Sequence, residues 1–149
     1  KEKFDVNTVL QQAVNDLLPL AEQKNALIKT AFSTASTIVT ADKNYMLLTF
    51  INLIENAIKY SPAPEISIAT YTEGNDCCVV IKDNGIGISP ENLNRLFEPF
   101  FTTKINGTGL GLPITRRIVQ EHRCTITVAS ELHQGTTFTL SLPSAAQQP

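Results

Sequence analysis

The chain has no tryptophan, one methionine and two histidines. Its 12 Lys and Arg are outnumbered by 14 Asp and Glu, for a formal net charge of −2. Nucleic-acid surfaces need clustered cations to displace phosphate counterions, so this balance excludes a dedicated nucleic-acid interface. No apolar run approaches the ~20 residues that cross a bilayer, and no direct membrane contact is expected of this domain. The first residues show no signal-peptide pattern, and a start at Lys1 is read as the start of a fragment of something longer. Three cysteines are too few, and odd in number, for a disulfide framework. Cys77 and Cys78 are adjacent, so on a strand they point to opposite faces, and Cys124 is distant; no pair has metal-ligand spacing. Buried thiols in a reducing, cytoplasmic setting are expected.

What is present suits one compact domain: 149 residues, 42% of them apolar. Residues 1–143 read as that domain and 144–149 as a frayed tail. Asn7 to Lys24 reads as an amphipathic helix, capped by Asn7 and kinked or shortened at Pro19. Ile38 to Thr40 reads as a short strand. Asp42 caps a second helix that ends near Tyr60, before Pro62 and Pro64. Glu65 to Tyr71 and Cys77 to Lys82 form a hairpin around Gly74-Asn75-Asp76. Ser89-Pro90-Glu91 opens a short helix, a third long helix runs from about Leu112 to His122, and strands Thr125 to Ala129 and Thr136 to Leu142 close the chain. The expected fold is a two-layer α/β sandwich. A mixed, mostly antiparallel sheet of about five strands is covered on one face by three helices.

Four segments carry chemistry. On the second helix, Leu47, Ile51, Ile54 and Ile58 form an apolar stripe, with Asn52, Asn56 and Lys59 on the other side and Glu55 at its edge. Such a polar stripe is either a solvated face or a site for a Mg²⁺–phosphate group. Asparagines at i and i+4 are poor helix formers, and their amide oxygens suit a hard cation. Asp83-Asn84-Gly85-Ile86-Gly87 is either a turn or a carboxylate at a strand end, placed to accept from an adenine amino group beside glycines that allow close approach. Phe97 to Lys104 holds three phenylalanines, either core or the anchor of a lid whose Lys104 reaches a phosphate. Gly107-Thr108-Gly109-Leu110-Gly111-Leu112 runs into the third helix and is either a linker or a phosphate cradle. Its spacing fits neither a dinucleotide fingerprint nor a P-loop.

Taken in this order, the four segments resemble the Asn box, first glycine box, Phe box and second glycine box of sensor histidine kinase catalytic domains. The closing stretch from Gly135 to Pro143 fits as well. The resemblance implies a Bergerat-type site for ATP and Mg²⁺. In it Asn56 coordinates the metal with Asn52 beside it, Lys59 and Lys104 approach the phosphates, and Tyr60 lies along the adenine. Asp83 holds the adenine amino group, with Gly85, Gly87 and Ile88 around the base and Thr136 joining through water. The backbone from Gly107 through Thr108, Gly109, Leu110 and Gly111 to Leu112 binds phosphates, and Thr102 and Thr103 begin a short lid ending at Asn106.

The resemblance further implies transfer of the γ-phosphoryl group to a histidine on a separate dimerisation domain, and from there to a response regulator. Neither His122 nor His133 lies in the segment expected around such an acceptor, so the acceptor is expected outside this chain, in a parent protein for which the resemblance allows an inner-membrane anchor. One position separates reaction types. Members that hydrolyse ATP or phosphorylate serine carry Glu four residues before the metal asparagine, as a base for a nucleophile that must lose its proton. This chain has Asn52 there, and a neutral imidazole already has a lone pair. That counts against an anti-sigma-type serine kinase. A nucleotide-gated module without transfer is the non-enzymatic alternative. Two departures from the pattern alter local structure: Pro113 follows the second glycine box, and Arg123 stands where a glycine C-cap is expected.

Overall fold

A computed structural model describes residues 1–59, 63–98 and 111–144. In chain order the elements are β1 (Glu2–Asp5), α1 (Val6–Asp16), α2 (Leu18–Gln23), β2 (Leu27–Ala31), β3 (Ile38–Ala41), α3 (Lys43–Lys59), β4 (Glu65–Glu73), β5 (Asp76–Asp83), α4 (Pro90–Leu93), α5 (Gly111–Glu121), β6 (Thr125–Glu131) and β7 (Gly135–Pro143). Five strands form one sheet in the order β2-β4-β5-β7-β6, and β1 pairs with β3 in a separate two-stranded ribbon. The β2–β4 pair is parallel and the other pairs are antiparallel.

The sheet differs from expectation in its fifth strand. Ile38–Ala41 leaves the main sheet for the ribbon, and β2 takes the edge place beside β4. Along β2 only Ile28 is even half-buried, so no apolar alternation marks it. The first helix is two helices. Asp5, not Asn7, is the N-cap, its Oδ1 accepting from the Asn7 N–H at 2.9 Å. The helix stops at Leu17 because Pro19 opens α2. Asp42 caps α3 as expected, its Oδ1 accepting from the N–H groups of Asn44 and Tyr45. Ser89 caps α4, with Pro90 at its first position. Ser144 is not frayed: its N–H donates to the Asn75 carbonyl at 2.9 Å, while 145–149 lie outside the described residues.

The core lies between the helices and one face of the sheet. Ile66 and Ile68 of β4, Cys77, Val79 and Ile81 of β5, and Phe138, Leu140 and Leu142 of β7 supply the sheet side. Val9, Leu10 and Ala13 of α1, Phe50, Leu53 and Ile54 of α3, and Ile118 and Val119 of α5 cover it. Cys78 points to the other face, where it is still buried, its Sγ 3.9 Å from the Ser141 hydroxyl.

The buried face of α3 is rotated from the expected stripe. Met46, Phe50, Leu53, Ile54, Ala57 and Ile58 are buried, while Leu47 and Ile51 are half-buried at the edge. The asparagines therefore do not lie opposite the core. At about 100° per residue, Asn56 falls only ~20° from Thr49, which is wholly buried. Both asparagines line the border of the core on the side that α5 packs against.

Candidate functional site

Two contacts fix how α5 lies on α3. Near the start of α3, the Tyr45 ring meets the His122 ring edge-on, with centroids 6.2 Å apart. Two turns later the Asn52 Nδ2 donates to the Thr115 Oγ1 at 3.3 Å. The numbering runs up one helix as it runs down the other, at the same spacing, so the helices are antiparallel and in register. One further turn along both, Gly111 comes abreast of Asn56. The start of the described α5 is thus level with the metal-ligand candidate of α3. Asn56 is half-buried, and no described side chain hydrogen-bonds its amide. Lys59 follows on the same helix and forms an ion pair with Glu55 at 2.6 Å, the lysine exposed and the glutamate half-buried.

The sheet contributes the floor. Asp83 ends β5 and follows Cys77, Val79 and Ile81 by the strand's two-residue period, so its carboxylate is on the helix side. Its neighbours in register are Ile66 of β4 and Thr136 of β7. The Asp83 Oδ1 accepts from the Gly85 N–H at 2.8 Å, which turns the chain off the strand. Asn84 ties this turn to the start of β4: its Oδ1 accepts from the Glu65 N–H at 2.9 Å and its Nδ2 donates to the Ala63 carbonyl at 3.1 Å. The end of α3, the start of β4, the end of β5, the start of β7 and the start of α5 therefore converge at one end of the sandwich.

The glycine loop is seated on the β6–β7 hairpin. Gly87 has φ +74°, and a Cβ there would stand 1.9 Å from the Glu131 carbonyl oxygen. The Ile88 N–H donates to the Ser130 Oγ at 2.8 Å, and the His133 N–H donates to the Ile86 carbonyl at 2.7 Å. The Ser130 hydroxyl also lies 2.8 Å from the hydroxyl of Thr136, which is buried. One serine thus joins the loop to the strand beside Asp83. Gly135 is held as tightly, because its Cβ would fall 2.0 Å from the Asp83 carbonyl oxygen.

Asn52, Asn56, Asp83, Gly85, Gly87, Ile88 and Thr136 are brought to this end of the molecule, with Leu112 half-buried at the start of α5. Pro113 is accommodated within the first described turn of α5. Tyr60, Thr102, Thr103, Lys104, Gly107, Thr108, Gly109 and Leu110 lie outside the described residues. The first residue of the Phe box is described: Phe97 is half-buried against the core, with the Arg116 guanidinium carbon 5.2 Å from its ring centroid. Sequence reasoning missed Thr115, Ser130 and Arg116. Each sits in a regular element, where nothing but the partner across the interface marks it. Among the described residues no group of His, Cys, Asp and Glu could hold a metal. The oxygen donor offered instead is the Asn56 amide. That set fits Mg²⁺, which keeps several waters and takes much of its coordination from phosphate oxygens.

Comparison with known proteins gives concordant matches. The family described as "Histidine kinase-, DNA gyrase B-, and HSP90-like ATPase" matches residues 41–146. Sporulation kinase A of Bacillus subtilis is 35% identical over 144 residues, which is 96% of this chain and 24% of that protein. This chain spans about a quarter to a third of the first curated relatives it matches. A nucleotide-free catalytic domain of the histidine kinase ThkA superposes with a TM-score of 0.86 at 28% identity, covering 96% of this chain and 95% of that one. Full-length ShkA in complex with AMPPNP gives a TM-score of 0.86 at 29% identity, over 95% of this chain and 30% of that one.

Proposed function

This chain belongs to the histidine kinase-, DNA gyrase B- and HSP90-like ATPase family, as a sensor histidine kinase catalytic domain, and we propose that it binds Mg²⁺-ATP at the convergent end of its sandwich. The γ-phosphoryl group then passes to a histidine on a dimerisation domain outside this chain, and onward to a response regulator. What supports this reading is the antiparallel register of α3 and α5, taken with the pairing of Asp83 and Thr136 at the ends of β5 and β7.

Each residue has a task its chemistry suits. Asp83 accepts from the adenine amino group, held at the sheet end by its bond to Gly85. Ser130 and Thr136 fix the glycine loop that carries Gly87 and Ile88 beside it. Asn56 offers a neutral oxygen, and Lys59 a cation, at the phosphate end. The start of α5 supplies backbone N–H groups to phosphate oxygens. Asn56 would hold Mg²⁺ through its amide oxygen, and the ion would supply neutralisation of phosphate charge. Tyr60, Lys104 and the backbone from Gly107 to Leu110 complete the site in this reading, with Thr102 and Thr103 in the lid. The rest of catalysis is mostly positioning, because a neutral imidazole acceptor attacks with a lone pair it already has and needs much less help from a base. The domain works in the cytoplasm. No described helix is long and apolar enough to cross a membrane.

Calorimetric titration with a non-hydrolysable ATP analogue, with and without Mg²⁺, tests the site. The wild type binds more tightly with Mg²⁺, and Asn56→Ala loses that gain by about tenfold or more, as expected when a charge-assisted contact is removed. A wild type that binds no nucleotide, or an Asn56→Ala variant equal to it, refutes the assignment.

A further inference from the structure

Among the described polar side chains of α5, only Thr115 is buried, with 0% of its surface exposed. A β-branched residue suits that packed position, and valine would fill the same volume. The hydroxyl is nevertheless there, and it accepts from the Asn52 amide, 3.3 Å away. No buried side-chain polar atom among the described residues lacks a partner. Asn52 stands one turn before Asn56 on the same border of α3, at the position that decides reaction type in the family resemblance.

We propose that Thr115 is a positioning residue that holds the Asn52 amide in one orientation, with its nitrogen toward α5 and its Oδ1 left as an acceptor on the border shared with Asn56. The proposal rests on the nucleotide-site reading above. A helical threonine tends to give its own proton to a carbonyl one turn back, which leaves its oxygen to accept. An amide that donates to that oxygen turns its carbonyl the other way, because the two ends of a planar amide diverge. The polarity then suits a hydrated metal. Mg²⁺ keeps several waters, whose hydrogens point outward and need acceptors. An amide flipped the other way would present N–H hydrogens to those same hydrogens. Thr115 thus reaches the phosphate end of the site through Asn52, without touching nucleotide.

The test compares wild type with Thr115→Val, Thr115→Ser, Asn52→Ala and the double variant Thr115→Val/Asn52→Ala. The readout is calorimetric affinity for a non-hydrolysable ATP analogue, with and without Mg²⁺, and thermal melting checks that each variant is folded. Thr115→Val is expected to reduce the Mg²⁺-dependent gain in affinity by about three- to tenfold, the range of one neutral hydrogen bond, and to leave Mg²⁺-free binding unchanged. Thr115→Ser retains the gain, and Thr115→Val has no further effect once Asn52 is Ala. Equal loss with and without Mg²⁺, no loss, or a full effect in the Asn52→Ala background overturns the proposal and leaves Thr115 a packing residue. A wild type that binds no nucleotide sinks the site reading itself, and this proposal with it.

Discussion

Replacing Gly87 by alanine isolates what the glycine loop requires of its backbone. Two of the chain's glycines share a left-handed conformation but differ in surroundings. Gly74 has φ +60°, and a Cβ there meets nothing within 4 Å. Gly87 has φ +74°, and a Cβ there meets the Glu131 carbonyl oxygen at 1.9 Å and its carbon at 2.7 Å. The conformational penalty of an L-residue is about 1–2 kcal/mol at either site, offset by about 0.4–1 kcal/mol from a stiffer unfolded chain. Gly74→Ala is therefore expected to cost about 1 kcal/mol. Gly87→Ala carries the same penalty and must also push the loop away from β6 by more than an ångström. That movement breaks the Ile88–Ser130 and His133–Ile86 hydrogen bonds, which hold the loop to the hairpin. Each lost bond costs about 1 kcal/mol and the backbone overlap adds more, so a total of about 4 kcal/mol is expected.

Thermal melting followed by circular dichroism reads the difference. For a domain of this length, 1 kcal/mol moves the midpoint by about 2–4 °C. Gly74→Ala should therefore fall by about that much and Gly87→Ala by about 8–16 °C. Equal shifts for the two variants would refute the steric argument. The comparison also bears on function. Loss of nucleotide binding in Gly87→Ala does not by itself place Gly87 beneath a base, because the contact with Glu131 already demands glycine.

Asp83→Asn keeps an oxygen for the Gly85 N–H but removes the charge and presents an N–H₂ to the adenine amino group. Nucleotide affinity should fall about tenfold or more with the melting midpoint unchanged, and unaltered affinity in calorimetry would remove Asp83 from the site. Burial pushes the Cys77 thiol up to about 12 and the Cys124 thiol up to about 11, from an ordinary 9.0. Both should resist iodoacetamide at pH 8 in the folded protein and react once it is unfolded. Above pH 9 the unfolded chain loses these protons while the folded chain keeps them, so their contribution to stability is full below pH 9 and declines as pH rises toward about 12. Stability that stays flat across that window in alkaline denaturation scans would contradict it.

Legibility in the sequence tracked the strength of each local signal. Strand β4 alternates buried and exposed residues along its first half, β5 is rich in apolar residues, and the turn at Gly74 is explicit, so the hairpin and its antiparallel sense could be read directly. The caps at Asp42 and Ser89 were legible because a short polar side chain before a helix has few other uses. β2 was not legible, because its place is set by parallel pairing with β4 and not by burial of its own side chains. The cap at Asp5 was hidden by Asn7, an equally good capping residue two positions on. Asn7 instead reaches across to the sheet, its Nδ2 donating to the Ser33 carbonyl and its Oδ1 accepting from the buried Thr70 hydroxyl at 2.8 Å. The C-cap at Arg123 shows how a departure is absorbed. Arg123 takes φ +57°, and the Cys124 N–H donates to the Val119 carbonyl at 2.9 Å, so the left-handed turn forms without its glycine.

The site divides along the same line. Residues that bear the chemistry fall in short segments with unusual composition, and sequence order alone brought Asn56, Asp83 and Gly87 to notice. Residues that hold them fall in regular elements and act across interfaces, where one sequence carries no trace of the partner. Ser130 looks like any small residue on the half-buried face of a strand until Ile88 and Thr136 are seen at its hydroxyl. Thr115 looks like any β-branched core residue until Asn52 is seen at its own. The apolar stripe on α3 was misjudged for the same reason. Leu47 and Ile51 satisfy the periodicity as well as Met46 and Phe50 do, and the choice between faces is made by α1 and α5 packing from either side. That rotation is what moves the asparagines from an open polar face to the border of the core. There the Asn52 amide meets the Thr115 hydroxyl of α5, a contact that an open polar face would not offer.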